Sequence, residues 1–184
     1  MEQQLESTLQ YYPTPPQYAK ACVAELYCLA ARLGNVIDVG CGKCEFADQW
    51  EIMTGTRIWK LDMVKRFEEE DPLFIQGDWF DFKPDCKYDV IMMNPPYAKA
   101  IDFIEKGKKM LADDGVIGVF LSQAYLSGVE RFDRLWLPWK PAVVQIFNRR
   151  IYHNGGCDRH GRIFAVWLKE SSKTTRLQFV NVEL

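Results

Sequence analysis

The chain is 184 residues long, 48% hydrophobic and 26% charged, with a formal net charge of −2. That length suits one domain with a sizeable core and is too short for two full ones. The near-neutral balance excludes a strongly cationic wrapper of nucleic acid while remaining compatible with a local basic cleft.

No apolar run approaches the roughly 20 residues of a membrane span, so no membrane association is expected. The opening Met1-Glu2-Gln3-Gln4 is too acidic and polar for a signal peptide, which makes the cytoplasm, or the interior of an infected cell, the expected location. The cysteines Cys22, Cys28, Cys41, Cys44, Cys86 and Cys157 fall inside helical and strand patterns, so they are expected to be reduced and mostly buried. Cys41 and Cys44 have the C-x-x-C spacing of zinc and redox sites. No second pair follows at zinc-site spacing, and no metal site is expected.

In chain order, residues 1–10 are a polar lead-in. Tyr11-Tyr12-Pro13-Thr14-Pro15-Pro16 is too proline-rich for helix or strand. Thr14 is placed to cap a helix over 16–33, whose stripe of Ala19, Cys22, Val23, Leu26, Leu29, Ala30 and Leu33 faces a core and which Gly34 stops. The free N–H groups at such a helix start attract a carboxylate. Val36 to Val39 is a strand, and Gly40 and Gly42 then let the backbone turn tightly and approach a ligand. The spacing does not match G-x-G-x-x-G, because Asp38 precedes the first glycine.

Arg57 to Leu61 is a second strand ending in Asp62, where a carboxylate can accept both hydroxyl hydrogens of a ribose; the competing reading is an exposed helix N-cap. Lys65 to Glu70 is expected to be a solvated helix surface. Leu73 to Gln76 is a third strand, followed by Gly77-Asp78-Trp79-Phe80, in which Trp79 or Phe80 is able to cover a flat ring. Val90 to Met93 is a short apolar run, as in a parallel strand covered on both faces. Pro95 and Pro96 end it, and Asn94 is held extended at its C-terminal lip.

Open α/β sheets bind ligands at that lip. The Asn94 side-chain oxygen and the Pro95 carbonyl are acceptors for the two hydrogens of one planar amino group, and Tyr97 offers a flat face for stacking. Residues 98–112 read as an amphipathic helix with a solvated basic patch at Lys106, Lys108 and Lys109. Val116 to Leu121 is a strand with Ser122 and Gln123 at its lip. Val129 to Trp136 is a short helix. Val143 to Phe147 and Ile163 to Leu168 are the last core strands, with a possible extra strand near Leu177 to Val182. The connection 148–162 is long and rich in Arg and His, and long loops of this kind are usually functional or disordered.

Asn94-Pro95-Pro96-Tyr97 resembles the catalytic motif of S-adenosylmethionine-dependent amino-methyltransferases, above all the N6-adenine DNA enzymes; RNA adenine and release-factor glutamine methyltransferases carry the same tetrapeptide. Asp38-Val39-Gly40-Cys41-Gly42-Lys43-Cys44 is similar to the Asp-x-Gly-x-Gly-x-Gly cofactor loop of class I methyltransferases, with Cys44 in place of the last glycine. Tyr12, Thr14 and Pro15 match the Tyr-x-Thr-Pro cofactor segment of gamma-class adenine enzymes, with Pro13 as an extra residue.

The resemblance covers about residues 11–168. It implies a Rossmann-like α/β domain, a seven-stranded mainly parallel sheet with helices on both faces and a C-terminal antiparallel hairpin. The implied cofactor is S-adenosylmethionine, contacted by Tyr12, Thr14, Pro15, Asp38, Gly40, Gly42, Asp62, Asp78, Trp79 and Asn94. Asn94, Pro95, Pro96 and Tyr97 form the implied catalytic motif, and Tyr97, Tyr152 and His153 the acceptor contacts. The implied reaction is N6-methylation of adenine in DNA, with RNA or a protein glutamine as alternatives. A separate target-recognition domain, usual in gamma-class DNA enzymes, is not expected within 1–184; short loops or a partner chain would then set specificity.

Overall fold

The computed structural model describes residues 12–153, 156–157 and 160–182. Ten strands and three helices of ten or more residues are formed among them. Helix α1 (Pro16–Leu29) precedes β1 (Val36–Val39), α2 (Glu45–Thr54), β2 (Trp59–Asp62), β3 (Phe74–Gln76) and β4 (Tyr88–Met93). A 3-10 turn (Tyr97–Lys99) leads into α3 (Ala100–Met110) and then β5 (Leu111–Ser122). The rest comprises β6 (Val143–Phe147), the short β7 (Tyr152–His153) and β8 (Gly156–Cys157), β9 (Arg162–Leu168) and β10 (Arg176–Val180).

Eight strands make one sheet in the order β10-β6-β9-β5-β4-β1-β2-β3. Strand β9 runs antiparallel to both neighbours, β5 and β6, and every other pairing is parallel. The order reverses between β1 and β4, which makes the C-terminal ends of these two strands the switch point where α/β sheets bind ligands. The expected sheet of seven strands is therefore one short. The added strand is β10, which hydrogen-bonds to the free edge of β6.

Strand β10 is the possible extra strand expected near Leu177 to Val182, and polar side chains hold it against β6. Arg176 pairs with the buried Glu25 of α1, and Gln145 Nε2 donates to Gln178 Oε1 at 3.2 Å.

Both faces of the sheet are covered, so its central strands are largely apolar. On one face Cys22 and Leu26 of α1 and Phe46 and Trp50 of α2 pack on Val90, Met92, Phe120 and Phe164. On the other, Ile101 and Ile104 of α3, with Trp139 and Trp167, pack on Ile37, Ile91, Met93 and Val119.

Three sequence expectations need correction. Helix α1 stops at Leu29, and its cap residue is Pro15 without a side-chain bond, because the Thr14 hydroxyl is engaged elsewhere. Lys65 to Glu70 forms bends and not a helix, since Asp62 Oδ1 captures the Val64 N–H at 2.9 Å and the Arg66 guanidinium at 2.9 Å. The helical segment from Val129 has three α residues and then widens into a π turn at Phe132–Trp136.

Gly118 marks where α1 lies closest to the sheet. A Cβ there would sit 2.3 Å from Phe164 Cζ and 2.8 Å from Leu26 Cδ2, and both side chains are fully buried. Gly118→Ala is expected to destabilise the fold by about 1–3 kcal/mol through overpacking, read as a lower midpoint in urea unfolding with an unchanged slope.

Candidate active site

The cleft at the switch point is built from four chain segments. The first is the glycine turn after β1. Gly40 and Gly42 have φ of 68° and 58°, which a side chain would strain. Cys44 also lies at positive φ, 70°, so the position where the resembled loop has glycine keeps a glycine-like backbone here. The turn is stitched to β2: Gly40 N–H and Cys41 N–H both donate to the Leu61 carbonyl, at 2.7 and 3.1 Å, and Gly42 N–H donates to Asp62 Oδ2 at 2.9 Å.

Cys41 and Cys44 bring their sulfurs to 3.8 Å, both buried. That contact and burial push the Cys41 thiol well above its ordinary value, so it stays protonated.

The second segment is the β2 end. Asp62 accepts from Gly42, Val64 and Arg66, so three of a carboxylate's roughly four lone-pair directions are engaged. The third runs from Gly77 to Phe82. Asp78 lines the cleft and caps its own turn through Phe80 N–H at 2.8 Å. Trp79 also borders the cleft but is buried, its indole N–H directed at the Phe103 carbonyl at 3.3 Å.

Lys106 was expected on a solvated face; its ammonium instead gathers the carbonyls of Trp79, Phe80 (2.9 Å) and Phe82 (2.8 Å). Desolvation lowers its pKa, and the three carbonyl dipoles satisfy its three donors.

The fourth segment joins Asn94 to the N-terminal strap. Asn94 Nδ2 donates to the Tyr12 carbonyl at 2.8 Å and to Thr14 Oγ1 at 3.0 Å. A backbone carbonyl only accepts, so this pair fixes which end of the amide is nitrogen. Oδ1 is thereby left as the acceptor end. The Tyr12 ring stacks on Tyr97 with centroids 5.5 Å apart and planes at 16°. The Tyr97 carbonyl accepts the Tyr125 hydroxyl, and the Arg162 guanidinium lies 5.1 Å from the Tyr97 ring centroid.

Tyr12, Thr14, Gly40, Gly42, Asp62, Asp78, Trp79 and Asn94 thus line one cleft, with Pro96, Glu45 and Phe103, around about 790 Å³ of space that includes its open mouth. Pro15 is the cap residue of α1, next to Thr14 of the cleft, and Pro95 is buried at the β4 lip.

Asp38 is not at the cleft surface. It is fully buried beneath α2, with Oδ2 accepting the Ala47 N–H at 3.3 Å, and burial raises its pKa well above the carboxylate range. Tyr152 and His153 form β7, paired with β8; their side chains lie outside the described residues.

Sequence reading missed Arg66, Lys106, Tyr125 and Arg162. Only Arg66 carried a local signal, its spacing of four from Asp62.

No protein-family model matches the chain, and no curated protein matches it in sequence. Solved structures do. A Listeria monocytogenes protein assigned as a class I S-adenosylmethionine-dependent methyltransferase is 12% identical with a TM-score of 0.64, over 98% of this chain and 71% of that one. The type I restriction-modification methyltransferase subunit of Streptococcus thermophilus is 14% identical with a TM-score of 0.68, over 92% and 47%. An RNA methyltransferase of Salinibacter ruber, in complex with S-adenosyl-L-homocysteine, is 12% identical with a TM-score of 0.52, over 89% and 97%.

The chain therefore has the Rossmann-like α/β fold of class I methyltransferases, and it spans about half the length of the restriction subunit. Among the described residues no helix is long and apolar enough to cross a membrane.

Lys106→Met keeps the stem and deletes three charge-assisted bonds. It is expected to cost about 1.5–3 kcal/mol in urea unfolding and to speed amide hydrogen exchange across residues 77–82 selectively.

Proposed function

We propose that this chain methylates the N6 amino group of adenine in DNA, with S-adenosylmethionine as methyl donor. The observation that carries the reading is the orientation of the Asn94 amide. With Nδ2 committed to Tyr12 and Thr14, the only function left to Oδ1 is to accept.

The cleft residues fit the cofactor chemically. Gly40 and Gly42 allow close backbone approach, Asp62 keeps one acceptor direction for a ribose hydroxyl, Asp78 suits an amino group, and the strap of Tyr12, Thr14 and Pro15 covers the end beside Asn94. The bound cofactor supplies a sulfonium-activated methyl group. Asn94 Oδ1 and the Pro95 carbonyl accept the two hydrogens of the acceptor amine, which localises its lone pair for attack. Pro96 fixes the backbone between them and Tyr97, and the Tyr97 ring stacks on the base.

The amine proton leaves to water after attack, so the site needs no strong general base. Positioning and fixed dipoles then supply the rate. Adenine inside a duplex cannot reach this lip, so the base is flipped or taken from a single strand. Tyr152 and His153 are the residues proposed to contact that base.

Likeness to a restriction-modification methyltransferase subunit supports DNA as substrate; likeness to an RNA methyltransferase supports RNA as the alternative. Nucleoside mass spectrometry after separate incubation with DNA and RNA decides between them. N6-methyladenine in neither would overturn the reading, and a methylated glutamine peptide would redirect it.

Asn94→Ala is expected to lower turnover by about 10²–10³-fold, the usual cost of a lost transition-state hydrogen-bonding group. Calorimetry should still show cofactor binding, weakened at most by the loosened strap. Turnover at the wild-type rate in this variant would remove the mechanism.

A further inference from the structure

Cys41 and Cys44 are the one pair of sulfurs in contact among the described residues, 3.8 Å apart and both buried. The turn that joins them is closed by the Cys44 N–H, which donates to the Cys41 carbonyl at 2.7 Å. A turn closed in this way holds its end Cα atoms within about 7 Å, and disulfides span about 4.4–6.8 Å between Cα atoms. A covalent S–S bond of about 2 Å therefore asks for rotation of two side chains and little backbone movement. Among the described residues no third His, Cys, Asp or Glu joins them in a metal-binding group, so the zinc reading of the C-x-x-C spacing has no ligand set here.

Cys44 is also the only non-glycine residue with positive φ among the described residues, at 70°. Glycine holds that conformation without steric cost, and a side chain kept there against the cost points to a use for the side chain. Cys41 lines the cleft, and Gly42, which follows it, donates to Asp62 of the same cleft.

From these contacts we infer that Cys41 and Cys44 form a reversible dithiol–disulfide site in the cofactor turn, and that its oxidation weakens cofactor binding. The inference rests on the cofactor part of the functional reading and not on the acceptor. The oxidant is a small-molecule disulfide of the glutathione class. One cysteine sulfur, as thiolate, displaces a thiolate from it and forms a mixed disulfide; the second, as thiolate, displaces the remaining small thiol. Two cysteine S–H bonds and one small-molecule S–S bond are lost, one protein S–S bond and two small thiols are gained, and two electrons pass from the protein to the oxidant. Closing the bond draws Cys44 toward Cys41 across Gly42 and Lys43, which shifts the backbone that the cofactor approaches and loosens the bond from Gly42 to Asp62. Linkage is reciprocal, so a ligand that binds the dithiol form more tightly also favours reduction of the pair.

The test equilibrates the wild-type chain without oxygen in glutathione buffers of graded redox poise. Cys41 is held protonated by the Cys44 contact and by burial, so exchange is slow and equilibrium is the readout. Peptide mass spectrometry after acid quenching and alkylation reads the fraction of the Cys41–Cys44 bond. Calorimetry reads affinity for S-adenosyl-L-homocysteine at each poise.

The oxidised form is expected to bind about tenfold more weakly, and saturating ligand to raise the midpoint potential of the pair by about 30 mV, the same factor expressed for two electrons. Cys44→Gly and Cys44→Ser should each hold one affinity at every poise, and either variant suffices if the other does not fold. A pair that stays dithiol at the most oxidising poise overturns the inference, and so does a disulfide form with the affinity of the reduced one. Variants that still lose affinity on oxidation overturn it too, because the response then comes from other thiols. Failure of the cofactor reading shows separately, as reduced wild type that does not bind S-adenosyl-L-homocysteine, and that result overturns the link to the cofactor even where the disulfide forms.

Discussion

The amide of Asn94 is the joint on which the cleft depends. Its nitrogen ties the lip of β4 to Tyr12 and Thr14, residues more than eighty positions away for Tyr12 and eighty for Thr14. Through that tie the strap becomes one wall of the cleft, the Tyr12 ring is laid on Tyr97, and the amide oxygen is committed to accepting. Hydrogen bonds of this kind contribute about 1 kcal/mol each and an aromatic pair about 0.5–1.5 kcal/mol. The strap is therefore held far less firmly than β4, whose apolar side chains from Val90 to Met93 are buried completely on both faces of the sheet. A rigid lip with a loosely held cover is the division of labour expected of a site that must admit a ligand and then enclose it.

Much of this was legible because it is written in local backbone chemistry. An apolar run stopped by Asn94-Pro95-Pro96 must be a buried strand with a polar lip, since proline has no N–H to continue the ladder. Two glycines after Val39 must be a turn, and both adopt positive φ. Asp62 and Asp78 follow short strands, and the parallel order of the sheet brings both to the same edge as Asn94.

What stayed hidden depends on side chains meeting across long separations. Thr14 has the right position for a helix cap, yet its hydroxyl is taken by Asn94, a partner no local window contains. Lys106 sits among other lysines in the sequence and looks solvated, but the carbonyls of 79–82 offer its ammonium a better set of acceptors than water geometry at that face. Asp38 precedes the glycine turn and reads as a cofactor contact; the structure spends it on the start of α2, where the Ala47 N–H requires an acceptor. Strand β10 was legible as a possible element near Leu177 to Val182, but its place beside β6 was not, because Glu25, Gln145, Arg176 and Gln178 that pin it meet across the chain.

The charge distribution shows why net charge was a poor guide to the site. The chain carries two more acidic than basic residues, which by itself argues against a polyanionic ligand. Two cations near the cleft are nonetheless held by acceptors of the fold: Arg66, which lines it, by Asp62, and Lys106, behind it, by the Trp79, Phe80 and Phe82 carbonyls. Arg66 and Lys106 are neutralised or dipole-matched where they stand, so they shape walls without adding much field. Net charge therefore describes the solvated surface and not the cleft walls, because exposed charges are screened beyond about 8–10 Å.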